Sequence, residues 1–81
     1  MNLRYKPQVA RQLKKLPLNE QKKILRKFEL IKKEPYSGKK LQGEFRGLMS
    51  IRAWPYRIVY EIKRNTVVVY KVKHRQSSYK K

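Results

Sequence analysis

Residues 56–72 read YRIVYEIKRNTVVVYKV. Tyr56, Ile58, Tyr60 and Ile62 alternate with Arg57, Val59, Glu61 and Lys63, which is the period-two pattern of a strand with one covered face. Arg64-Asn65 turns the chain. Thr66 to Val72 is rich in β-branched residues and forms the next strand. Strands joined by so short a turn pair antiparallel. The register follows from charge. With Tyr56, Ile58, Tyr60 and Ile62 toward the core, Arg57, Val59 and Glu61 face away. The opposite register would bury Arg57, Glu61 and Lys63, at high cost.

Toward the N-terminus, Met49, Ile51 and Ala53 alternate with Ser50, Arg52 and Trp54, giving a third strand of the same meander. Tyr36-Ser37-Gly38 is a turn, and Gly43 and Gly47 interrupt the stretch between. Before it the period is helical. Ile24, Leu25, Phe28 and Ile31 form the apolar stripe of an amphipathic helix whose outer face carries Lys22, Lys23, Arg26, Lys27, Lys32 and Lys33. Asn19 is the expected N-cap, Glu20 suits the positive helix end, and Glu34-Pro35 stops the helix. Pro7 opens an earlier helix carrying Val9, Leu13 and Leu16, which Pro17 ends or turns. Asn2 to Lys6 reads as a first strand. The expected fold is α+β with order β-α-α-β-β-β: one domain over residues 1–81, with two N-terminal helices on one face of a small, mainly antiparallel sheet. The other face stays at least partly open.

The charge says what that open face has to meet. The 81 residues include 23 Lys and Arg against 5 acids, all glutamate, for a formal net charge of +18. Such an imbalance repels itself within one domain and points to a polyanionic partner: nucleic acid, an anionic membrane or an acidic protein. RNA fits best. There is no cysteine, no aspartate and one histidine. A metal site and a disulfide framework are therefore not expected, nor is a Ser-His-Asp centre. No glycine loop for phosphates occurs, so no cofactor is expected. The longest apolar run is Val67-Val68-Val69-Tyr70, too short for a membrane span or a signal core, and a cytoplasmic location is expected.

Cleavage of RNA needs little beyond what remains. The 2′-hydroxyl attacks its own phosphate, so neither water nor metal is required. The protein must align the attack, take the 2′ proton, stabilise charge on phosphorus and protonate the leaving 5′ oxygen. Arginine matches phosphate oxygens, and Tyr or His suits the proton transfers. Arg57 on the sheet, with His74, Arg75 and Tyr79 near the C-terminus, are the candidates. Trp54 is a candidate for stacking on a base.

Taken together, Lys40-Leu41-Gln42-Gly43, Leu48-Met49-Ser50-Ile51-Arg52, Tyr56-Arg57-Ile58-Val59-Tyr60-Glu61-Ile62, Val72-Lys73-His74-Arg75 and Tyr79 resemble the RelE/ParE superfamily of type II toxin–antitoxin toxins. The resemblance covers nearly the whole chain. It implies a toxin neutralised by a cognate antitoxin with an acidic segment, acting as a metal-independent endoribonuclease on mRNA in the ribosomal A site. Arg57 then matches the strand arginine that stabilises the scissile phosphate. Tyr79 matches a terminal tyrosine linked to proton transfer or positioning, Arg75 and His74 fall in the same segment, and Arg52 matches a basic position on the preceding strand. Arg46, Arg52, Lys73, Trp54, Lys22, Lys23, Arg26 and Lys27 form the expected RNA-contacting set. RelE-like enzymes often place lysines before the Tyr-Arg motif. Here Leu48-Met49-Ser50 has none, and the general base is unassigned. Two alternatives stand beside this reading: a ParE-like inhibitor of DNA gyrase, and a non-catalytic module that binds ribosomal RNA or an acidic protein.

Overall fold

The structure, a computed structural model, describes residues 1–41, 43 and 47–74. Strand β1 (Asn2–Tyr5) leads into α1 (Pro7–Lys14) and α2 (Leu18–Lys33), followed by a 3-10 turn at Pro35–Ser37. The sheet is completed by β2 (Lys39–Lys40), β3 (Met49–Ala53), β4 (Tyr56–Lys63) and β5 (Thr66–His74). The strand order is β1-β5-β4-β3-β2. Three pairings are antiparallel and β1 runs parallel to β5. The expected order is thus present with one addition, the two-residue edge strand β2.

Both helices lie on one face. Val9 of α1 and Ile24, Phe28 and Ile31 of α2 are buried against Met49, Ala53, Ile58, Tyr60, Val67, Val69 and Val72 of the sheet. Leu13 and Leu16 pack at the margin of this core. Two helix details differ from expectation. The N-cap of α2 is Pro17, and Asn19 lies inside the first turn. Proline has no side-chain acceptor, so the helix starts without a side-chain cap, and the Glu20 amide donates to the Pro17 carbonyl at 3.0 Å instead. Leu25 is 46% exposed. At 100° per residue it is rotated off the stripe set by Ile24, Phe28 and Ile31.

Arg64 and Asn65 make the two-residue β4–β5 turn with φ of 47° and 61°, the left-handed pair that matches the twist of a tight hairpin. The β3–β4 turn is Trp54-Pro55, with a cis peptide bond. A bulge interrupts the β4–β5 ladder between Val59 and Tyr60: Val59 pairs with Lys71, and Tyr60 with Val69. Buried positions on β5 are accordingly Val67, Val69 and Val72, a spacing of two and then three. Strict alternation from Val67 and Val69 would send Lys71 and Lys73 into the core. The extra residue turns both to the open face. Beyond Val69, where β1 ends, α1 supplies partners for the β5 backbone: Gln8 Nε2 donates to the Tyr70 carbonyl, and the Val72 amide donates to Gln12 Oε1 at 3.1 Å.

Candidate functional site

The register of the sheet assembles a row of cations on the face away from the helices. Arg52 on β3 is the Cα partner of Arg57 on β4, and Arg57 is the partner of Lys73 on β5. Their inward neighbours Ala53, Ile58 and Val72 are buried, so these three side chains project to the open side. A second row runs Lys39, Ser50, Val59, Lys71. Like charges directly opposed across strands destabilise a sheet, yet the salt bridges among the described residues engage other lysines: Lys23 with Glu20, Lys32 with Glu29 and Lys63 with Glu61. Lys73 shows the strain in its titration. Partial burial, then the charges of Lys71 and Arg57, hold its ammonium below the ordinary lysine value.

Beside the row is a cleft of about 450 Å³ between the 3-10 turn, β2 and β3, lined among others by Lys39, Lys40, Ser50, Arg52 and Arg57. Gly38 closes its base. A Cβ there would lie 2.6 Å from both the Ser50 carbonyl oxygen and the Tyr60 hydroxyl. That hydroxyl donates to the Pro35 carbonyl at 2.8 Å and ties the turn to β4. Farther along the open face, Tyr70 donates to Glu61 Oε1 at 2.7 Å. This bond to the carboxylate is the leading cause that raises the Tyr70 pKa. Lys63 Nζ is 3.6 Å from the same oxygen.

The candidates taken from the sequence divide between surfaces. Arg57, Arg52 and Lys73 come together in one row. His74 does not join them: it pairs with Tyr56 and packs edge-on to its ring at 5.2 Å, on the helix side of the sheet. Trp54 is exposed at the β3–β4 turn, and its carbonyl accepts a hydrogen bond from Lys23 Nζ at 3.0 Å. Lys23 is thus engaged by both Glu20 and Trp54, linking α2 to the sheet. Lys22, Arg26 and Lys27 belong to α2, on the far side of the sheet from Arg57. Lys22 and Arg26 rim a separate cleft floored by Leu3, Tyr5, Leu25 and Phe28. Arg46, Arg75 and Tyr79 lie outside the described residues. Sequence reasoning missed Lys39, Lys40 and Lys71. The signal for Lys71 was present in the change of valine spacing from two to three. For Lys39 and Lys40 a two-residue strand carries no period to detect. Among the described residues no group of three or more His, Cys, Asp or Glu is placed to hold a metal ion, and no helix is long and apolar enough to cross a membrane.

Residues 3–79 match the sequence profile of the family described as ParE toxin of type II toxin–antitoxin system, parDE. Comparison with curated protein sequences gave no match. Among solved structures, a chain from a RelBE toxin–antitoxin complex of Mycobacterium tuberculosis is 32% identical with a TM-score of 0.82, over 90% of this chain and 95% of that one. A chain from the RelB–RelE antitoxin–toxin complex of Methanococcus jannaschii is 25% identical with a TM-score of 0.74, over 93% of each chain. The isolated RelE toxin of E. coli, 20% identical over 90% of this chain and 82% of that one, shares the fold with a TM-score of 0.76. The chain therefore belongs to the ParE toxin family of type II toxin–antitoxin systems, within the RelE/ParE superfamily.

Proposed function

We propose that this toxin is a ribosome-dependent mRNA endoribonuclease that works without a metal in the cytoplasm and so blocks translation. The observation that carries the reading is the row Arg52–Arg57–Lys73 on the face of the sheet away from the helices, with which no glutamate among the described residues forms a salt bridge. A phosphodiester bridging this row relieves its repulsion and receives charge-assisted hydrogen bonds from arginine forks. Arg57, at the centre, binds the non-bridging oxygens and stabilises the charge that grows on phosphorus as the 2′-oxygen attacks. Arg52 holds a neighbouring phosphate oxygen. Arg75 and Tyr79, which follow β5 in the sequence, complete the set, with Tyr79 protonating the leaving 5′ oxygen. His74 is assigned no contact with RNA, because it packs on Tyr56 on the other side. The basic positions of α2 add ribosomal RNA contacts of a non-specific kind.

The cognate antitoxin offers an acidic amphipathic segment to one of these basic surfaces. Solved relatives are toxin–antitoxin complexes, which supports this partner class.

A second reading is supported by the family profile itself, which is that of ParE toxins: inhibition of DNA gyrase with no RNA chemistry. One experiment separates the two. Purified toxin is added in parallel to programmed ribosomes and to gyrase with supercoiled DNA. The endoribonuclease reading expects A-site cuts ending in 2′,3′-cyclic phosphate and unaffected supercoiling. Intact mRNA with gyrase-dependent DNA breaks reverses it.

A further inference from the structure

We propose that Lys73 is the general base of the cleavage, taking the proton from the attacking 2′-hydroxyl. The inference rests on the endoribonuclease reading and assigns the one role that the sequence left without a residue. Lys73 stands directly across the sheet from Arg57. Opposed side chains on one face have Cβ atoms about 5 Å apart, so a phosphate held by Arg57 brings its own ribose within reach of the lysine amine. The β5 bulge creates this placement, since without it Lys73 would point at the helices.

The surroundings suit a base more than a simple charge contact. Lys73 is faced by Arg57 from β4 and by Lys71 from its own strand, with Arg52 of β3 beyond Arg57. Among the described residues it makes no salt bridge. Burial and these cations lower the amine's pKa and so raise the fraction in the neutral form, the form that accepts a proton. Lys39 and Lys40 are exposed at the sheet edge, and Lys71 stands opposite Val59 instead of an arginine. In the step, Nζ takes the 2′ proton as the 2′-oxygen bonds to phosphorus. The phosphorus–5′-oxygen bond breaks, and the 5′ oxygen leaves with a proton from the general acid. The products are a 2′,3′-cyclic phosphate and a 5′-hydroxyl.

The test uses single-turnover cleavage on programmed ribosomes across a pH series. Lys73→Arg keeps the charge and removes the base. It is expected to bind ribosomes as the unaltered toxin does, cut about 10²-fold or more slowly, and lose the rise in rate with pH. The chain has no cysteine, so Lys73→Cys can be alkylated at one position with bromoethylamine before ribosomes are added. That restores an amine of lysine length and lower basicity. Cleavage is expected to return with its pH rise shifted to lower pH. A Lys73→Arg rate and pH profile matching the unaltered toxin would overturn the assignment and leave the endoribonuclease reading intact. Absence of cleavage by the unaltered toxin would instead defeat that reading, and this inference with it.

Discussion

Arg57 and Lys73 are Cα partners across β4 and β5, two cations opposed on the side of the sheet that the helices leave bare. Arg52 extends the pair into a row of three. The arrangement disfavours folding and favours binding of phosphates, and the two effects can be measured separately.

Neutralising the row should stabilise the isolated toxin. Lys73→Gln is expected to raise stability by about 0.2–1 kcal/mol, the range for a directly opposed pair, with a higher urea midpoint as the readout. The sign of its pH dependence follows from the direction of the Lys73 shift. Its folded pKa lies below the ordinary 10.5, so between the two values the unfolded chain binds more protons and stability rises with pH. Below the folded value the penalty is present in full. The advantage of Lys73→Gln should therefore be largest near neutrality and fade as pH approaches 10.5. An advantage that grows with pH contradicts the account.

Gly38 tests the packing behind the cleft. Its φ is −81°, which any residue adopts, so the requirement is one of space. A Cβ 2.6 Å from the Ser50 carbonyl and the Tyr60 hydroxyl forces the 3-10 turn off the sheet. Gly38→Ala is expected to cost about 1–3 kcal/mol, read from the urea midpoint at unchanged m-value.

Much of this geometry was legible in advance, and the misses have identifiable causes. The alternation of Tyr56, Ile58, Tyr60 and Ile62 places Arg57 on the open face because the other register would bury charge. The helices follow from Val9, Ile24, Phe28 and Ile31. The bulge was not anticipated, although the spacing of Val67, Val69 and Val72 records it, and so Lys71 was overlooked. The separation of His74 from Arg57 has the same origin. Proximity in sequence grouped His74 with Arg75, but strand alternation sets His74 beside Tyr56. Neither period nor charge reveals that β2 exists, because two residues paired with Met49 and Ser50 depend wholly on the strand they join.

Tyr60 gives a separate check on the same corner. Its hydroxyl is the donor to the Pro35 carbonyl, and burial raises its pKa above 10.0. Tyr60→Phe is expected to cost about 1 kcal/mol. Because the folded pKa is raised, the contribution of Tyr60 is complete below pH 10.0 and declines as pH rises through the folded value. The phenylalanine variant should lose this part of the alkaline decline in a pH series of melting temperatures.

The two basic surfaces should behave differently toward RNA. Arg52→Gln with Lys71→Gln is expected to reduce the salt slope of single-stranded RNA affinity by about 1.4, for two phosphate contacts, and to slow the chemical step on ribosomes. Lys22→Gln with Arg26→Gln, on α2, should weaken ribosome binding while the rate of cutting in the bound state holds. Equal loss of the bound-state rate from both pairs would show that the sheet face has no special part in the chemistry.

The most direct test of the central claim is the single-turnover rate of mRNA cutting in the A site of saturated ribosomes, compared between the unaltered toxin and Arg57→Ala. If Arg57 stabilises the charge developing on phosphorus, the bound-state rate falls about 10²–10³-fold while ribosome affinity changes little. A variant that cuts at the unaltered rate, or loses only affinity, would contradict the account.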